Sequence, residues 1–267
     1  MTPQFAVMAL CNISSLEDNH APMARSGVVP AVINLLRDEE ETIARTAAMV
    51  ITNLSTDQQC QIWIAKQGGI TLLIHLMERN DMEAARYAGM ALSNLSVNRQ
   101  NRIALVENGG LKCLVKMASL DNPESQRAAA VALYNLSCAA GNHVPMVKNN
   151  VVAALATLHE TQDLECKRHA VMTLANLASN AETRLAATKS GGLNVAVTMI
   201  KDDDLSCRRY ACIALCNMAN SPNSQVRLRH TGSASRWGAD ADIQAHQPLL
   251  PPPAPCRNKL WSTARCR

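Results

Sequence analysis

An apolar phrase closing on Asn returns along the chain as AVMALCNIS, AAMVITNLS, AGMALSNLS, AAVALYNLS, AVMTLANLAS and ACIALCNMA. Its Asn stands at Asn12, Asn53, Asn94, Asn135, Asn176 and Asn217, a step of 41 residues held without insertion or deletion. A helix turns about 100° per residue, so the positions six and two before the Asn and one after it fall within about 60° of one another. They hold Ala, then Leu or Ile, then Leu, Ile or Met, from Ala6, Leu10 and Ile13 in the first copy to Ala211, Leu215 and Met218 in the last. This stripe is the expected buried face, with Ala marking close helix approach.

A second marker keeps the same step: Gly27, Gly68, Gly109, Asn150, Gly191 and Gly232, each after a short amphipathic stretch such as NRIALVENG. Gly, and next best Asn, adopts the left-handed conformation that ends a helix. Each unit therefore reads as a short first helix, a turn, a second helix such as VVPAVINLL, an acidic loop and a long third helix. The spacing predicts an all-α chain: a partial third helix over 1–15, full repeats over about 16–56, 57–97, 98–138, 139–179 and 180–220, and a partial first helix over 221–230. Residues 231–267, with the core PLLPPPAP, have no helical period and read as a disordered Pro/Arg-rich tail.

Four further positions lie about 100° or more from the centre of the apolar stripe. The Asn is one. Eight before it stand Arg45, Arg86, Arg127, Arg168 and Arg209, and four before it Met8, Met49, Met90, Val131, Met172 and Ile213. Seven before it the side chains vary, with Phe5, Tyr87, His169 and Tyr210 among them. Stacking the units turns each position into a ladder.

The phrases ending NLS and the GG turn, at this spacing, resemble the armadillo repeat over residues 1 to about 230; two-helix HEAT repeats are the nearest mimic. The resemblance implies a right-handed superhelical solenoid whose third helices line a concave groove. LSVNRQNRIALVENGGL is most similar to the vacuolar, membrane-tethered adaptors of that family. In such a groove Asn offers a donor and an acceptor to a partner's backbone, Met an adaptable apolar floor, and Arg a fork for carboxylates or phosphates. The implied function is a non-enzymatic scaffold or adaptor holding an extended acidic or phosphorylated protein segment. Nuclear-import carriers of the family have a Trp where Met49, Met90 and Met172 stand, so binding of basic import signals is the second reading; a spacer in a cytoskeletal or ciliary array is the third. Each ladder also has a purely structural reading: Asn bonded within the solenoid, and Arg paired with the acidic loops, which hold 15 of the 20 acids before His230.

Composition and charge narrow the classes. One Phe, three Tyr and three Trp in 267 residues leave the core to aliphatic side chains, Ala and Met. Most of the net charge of +4 arises after His230, where five basic residues face two acidic ones, so the body is near neutral and nucleic acid is not an expected partner. No stretch is long and apolar enough for membrane insertion and no signal peptide is present, which places the expected protein in the cytoplasm. Membrane association would fall to segments outside this sequence.

Candidate chemistry subtracts more than it adds. The ten Cys contain no CxxC pair, which excludes a metal centre, and Cys212 and Cys216 read as small core or groove residues. Asn12, Asn53, Asn94 and Asn135 each start an Asn-x-Ser run, but on helices these do not read as glycosylation sites. No nucleophile, base and acid assemble at a defensible spacing, so no catalytic residue and no cofactor is expected. The abrupt opening Thr2-Pro3-Gln4 and the break after Gly232 predict apolar surface at both ends, self-association and a longer parent protein.

Overall fold

The computed structural model describes residues 3–220, a row of α-helices with no strand among the described residues. Helix α1 (Pro3–Ser14) precedes five triplets. They are α2 (His20–Arg25), α3 (Val28–Leu35) and α4 (Glu41–Leu54); α5 (Gln58–Lys66), α6 (Gly69–Glu78) and α7 (Met82–Leu95); α8 (Asn101–Glu107), α9 (Gly110–Ala118) and α10 (Pro123–Ser137); α11 (His143–Lys148), α12 (Val151–Glu160) and α13 (Leu164–Ser179); α14 (Ala181–Ala187), α15 (Leu193–Met199) and α16 (Leu205–Ala219). The expected helix over 221–230, the turn at Gly232 and the tail lie outside the described residues.

Each third helix stacks on the third helices before and after it, and each second helix packs on the third helix of its own triplet. Contacts between neighbours alone are what a solenoid requires. The turns explain the regular step. Gly27, Gly68, Gly109 and Gly191 sit at φ 77° to 97° and Asn150 at 58°, all left-handed. The second Gly of the pair serves close approach instead: a Cβ at Gly69 would meet the Ile64 carbonyl oxygen at 2.8 Å, and one at Gly192 the Ala187 oxygen at 2.6 Å.

The apolar stripe is buried in the triplets, as at Ala47, Ile51 and Leu54, all 0% exposed. It departs from expectation at both ends of the described row. Ala6 and Ile13 are exposed and Leu10 half-buried, because α1 has no first and second helix of its own among the described residues. Leu215 is half-buried, and Cys212 and Cys216 are exposed instead of packed, because no described helix follows α16.

A side-chain donor from each first helix closes the preceding third helix. His20, Gln61, Arg102, His143 and Arg184 donate to the carbonyls of Ser14, Ser55, Ser96, Ser137 and Ala178 at 2.7 to 3.1 Å. These are carbonyls that a helix end leaves without an internal partner. Donor capacity repeats here while residue identity does not.

Candidate functional site

The third helices place the Arg ladder at their N-terminal ends, and four of its rungs are ion pairs to the next triplet. Arg45 donates from Nε and Nη2 to Asp81 at 3.0 and 2.8 Å. Arg168 reaches both oxygens of Asp204, at 3.1 and 2.7 Å. Arg127 donates from Nε to Asp163 at 3.0 Å and from Nη2 to the same oxygen. Each of these Asp residues also caps its own helix: Asp81 accepts the N–H groups of Glu83 and Ala84, Asp163 that of Cys166, and Asp204 that of Cys207. Where the cap is Asn122, Arg86 turns to Glu124 and lies 4.4 Å above the Tyr87 ring.

One carboxylate thus holds an orphan helix N–H and a neighbour's guanidinium together. Burial pushes the Asp81 and Asp163 carboxyls up, but their backbone donors and the Arg45 and Arg127 guanidiniums outweigh it and hold both below the ordinary range. The Arg168 hydrogen bonds depress Asp204 strongly, and the same pairing raises Arg168. The paired guanidiniums still keep 22% to 33% of their side-chain surface in solvent. Arg209 is exposed and makes no ion pair among the described residues.

The Asn ladder occupies the C-terminal half of the same helices. Asn53, Asn94 and Asn135 are 0% to 1% exposed, Asn176 and Asn217 half-buried, and Asn12 exposed. Each Nδ2 from Asn53 to Asn176 donates to a Ser hydroxyl one triplet back: Ser14, Ser55, Ser96 and Ser137, at 2.9 to 3.0 Å. Each Ser in turn donates to the carbonyl three residues before it. Ala178 breaks the series, and Asn217 instead donates to the Ala175 carbonyl at 3.3 Å. The Ser of the Asn-x-Ser run is therefore the inter-triplet acceptor, a role that the run alone does not reveal. Asn94 Oδ1 and Asn135 Oδ1 are buried without a hydrogen-bond partner.

Between the ladders, Met49, Met90 and Met172 are 4% to 8% exposed and pave the face, while Tyr87 and Tyr210 are half-buried. Tyr134, which no ladder position marked, packs its ring 5.4 Å from that of His169. Burial lowers the pKa of His169, whose Nδ1 donates to the Glu165 carbonyl at 2.7 Å, as suits a packed neutral ring. The buried thiols of Cys60, Cys166 and Cys207 are pushed up to about 12 by burial, which keeps them protonated and poor nucleophiles. Among the described residues no three His, Cys, Asp or Glu side chains gather as a metal site, and no helix is long and apolar enough to cross a membrane.

Residues 98–138 match the Armadillo/beta-catenin-like repeat family. An engineered protein of solved structure shares 26% identity and a TM-score of 0.73, over 81% of this chain and 90% of that one. A set of computationally designed armadillo repeat proteins for modular peptide recognition gives 21% identity and a TM-score of 0.74, over 80% and 92%. A designed armadillo repeat protein in complex with the peptide (KR)4 gives 22% and 0.71, over 80% and 92%. No curated protein matches the chain.

Proposed function

Because the chain is an armadillo-repeat protein, we propose that it is a non-enzymatic scaffold of the cytoplasm whose third helices form a concave groove for an extended protein segment. The observation that carries this reading is the alignment of one chemistry along one face: an Arg and an Asn stand on the third helix of every triplet, with Met between them on three and a half-buried Tyr on two.

The segment we propose is acidic or phosphorylated. Arg45, Arg127 and Arg168 turn Nε and Nη2 to the neighbouring Asp and Arg86 turns Nη1 to Glu124, and each keeps 22% to 33% of its side-chain surface in solvent, where a carboxylate or phosphate approaches. Arg209, with no ion pair among the described residues, contributes most. Anisotropy titrations with fluorescein-labelled ten-residue peptides of Glu and Ala, of phosphoserine and Ala, of Gln and Ala and of Lys and Ala test both parts. The expected order is phosphorylated or acidic first, neutral next and basic last, with Arg209→Ala weakening the acidic peptide several-fold. No binding by any of the four removes the scaffold reading, and a basic preference removes the charge assignment.

A further inference from the structure

The first and second helices carry a feature that the third-helix face does not use. A cavity of about 290 Å³ opens between α2, α3 and α5, lined by Arg25, Val29, Pro30, Trp63, Lys66 and Gln67 among others. No acid lines it, and neither Arg25 nor Lys66 makes an ion pair among the described residues. Trp63 is 39% exposed there.

The repeat supplies its own comparison, because the same junction one step later is closed. Pro30 is followed at the 41-residue step by Thr71, Gln67 by Asn108, Trp63 by Ala104 and Lys66 by Glu107. At that second junction the Thr71 hydroxyl donates to Asn108 Oδ1 at 2.7 Å and spans the gap. Pro30 has no hydroxyl to make the span, so the first junction stays open over the indole. Ala occupies the Trp63 position at 104 and at 186 and Pro at 22 and 145, so the fold does not need an aromatic there. A large indole left in solvent beside two unpaired cations is the composition of a recognition site, not of a packing solution.

We infer that this junction is a second docking site, which takes a protein segment presenting an apolar side chain next to Asp or Glu. The volume falls at the small end of ligand pockets and suits one or two side chains better than a whole cofactor. The apolar side chain stacks on Trp63 against Pro30 and Val29, and the flanking carboxylate lies between Arg25 and Lys66. The site is built without third helices, so it is separate from the proposed groove.

The test uses the full chain and a fluorescein-labelled peptide with a central Leu-Phe flanked by Glu, read by anisotropy. Trp63→Ala, which installs the residue that two other repeats already carry, should weaken binding at least tenfold without altering the circular dichroism spectrum. The pair Pro30→Thr and Gln67→Asn, which rebuilds the closed junction, should do the same. Replacing the peptide's Glu by Gln should also cost at least tenfold. Undetectable binding to the unmodified chain, equal binding after either Trp63→Ala or the closing pair, or equal binding of the Gln peptide would each overturn the proposal.

Discussion

The two halves of each third helix solve the same problem with different chemistry. The N-terminal half joins its neighbour through Arg and a helix-capping Asp, partly in solvent, as Arg45 and Asp81 do. The C-terminal half joins it through Asn and Ser in full burial, as Asn135 and Ser96 do. A charged pair at a wet rim keeps hydrogen-bonding capacity at its outer edge. A neutral pair in the dry interior avoids the desolvation cost that a charge there would incur. The difference bears on the proposed groove: of the two halves, the Arg half is the one that water already reaches.

Acid should break this contrast most strongly, because it acts on every charged rung at once. Asp81, Asp163 and Asp204 are held below their ordinary range in the folded chain, so the stability they contribute is present above about pH 4 and lost as pH falls through their folded values. Urea midpoints should fall gently from pH 7 to about pH 5, where the unfolded chain takes up the proton that buried His169 resists, and more steeply below about pH 4 as the Asp rungs are protonated. The triple change of these Asp residues to Asn should flatten that decline, and an unchanged decline would show that the rungs are not its source.

Asn135→Asp places a carboxylate in the dry half and should cost about 3 kcal/mol or more, read from urea unfolding at pH 7. A loss below about 1 kcal/mol would mean that the buried rung is wetter than described. Asp81→Ala removes a cap and a partly exposed ion pair together, for an expected loss of about 2 kcal/mol. The smallest change sharpens the comparison by addition. Ala178→Ser supplies the hydroxyl missing opposite Asn217, at a position filled by Ser in four earlier copies, and should raise stability by about 0.5 kcal/mol.

The repeat itself was legible because its signals are local. The 41-residue step, the left-handed turn at Gly27 or Asn150 and the Ala47, Ile51, Leu54 stripe each depend on a few adjacent positions. Pairing across repeats was legible only as a class, Arg with an acidic loop and Asn within the solenoid, and not partner by partner. Arg45 and Asp81 are 36 residues apart, and an acidic loop offers several candidate carboxylates until the helix start selects one. The Ser acceptors stood beside each Asn, yet their role depends on a neighbour 39 residues away. The first-helix donors were hidden for a different reason: His20, Gln61 and Arg102 share a geometry and not a name. The Trp63 cavity is legible only as a difference between two junctions, and the sequence shows that difference as one proline against one threonine.

Amide hydrogen exchange with and without the saturating acidic or phosphorylated peptide tests the central claim most directly. Protection is predicted along the N-terminal halves of successive third helices, centred on Arg127, Arg168 and Arg209, with the first and second helices unchanged. Protection confined to the first and second helices, or absent at full occupancy, would contradict the assignment of the groove to the third helices.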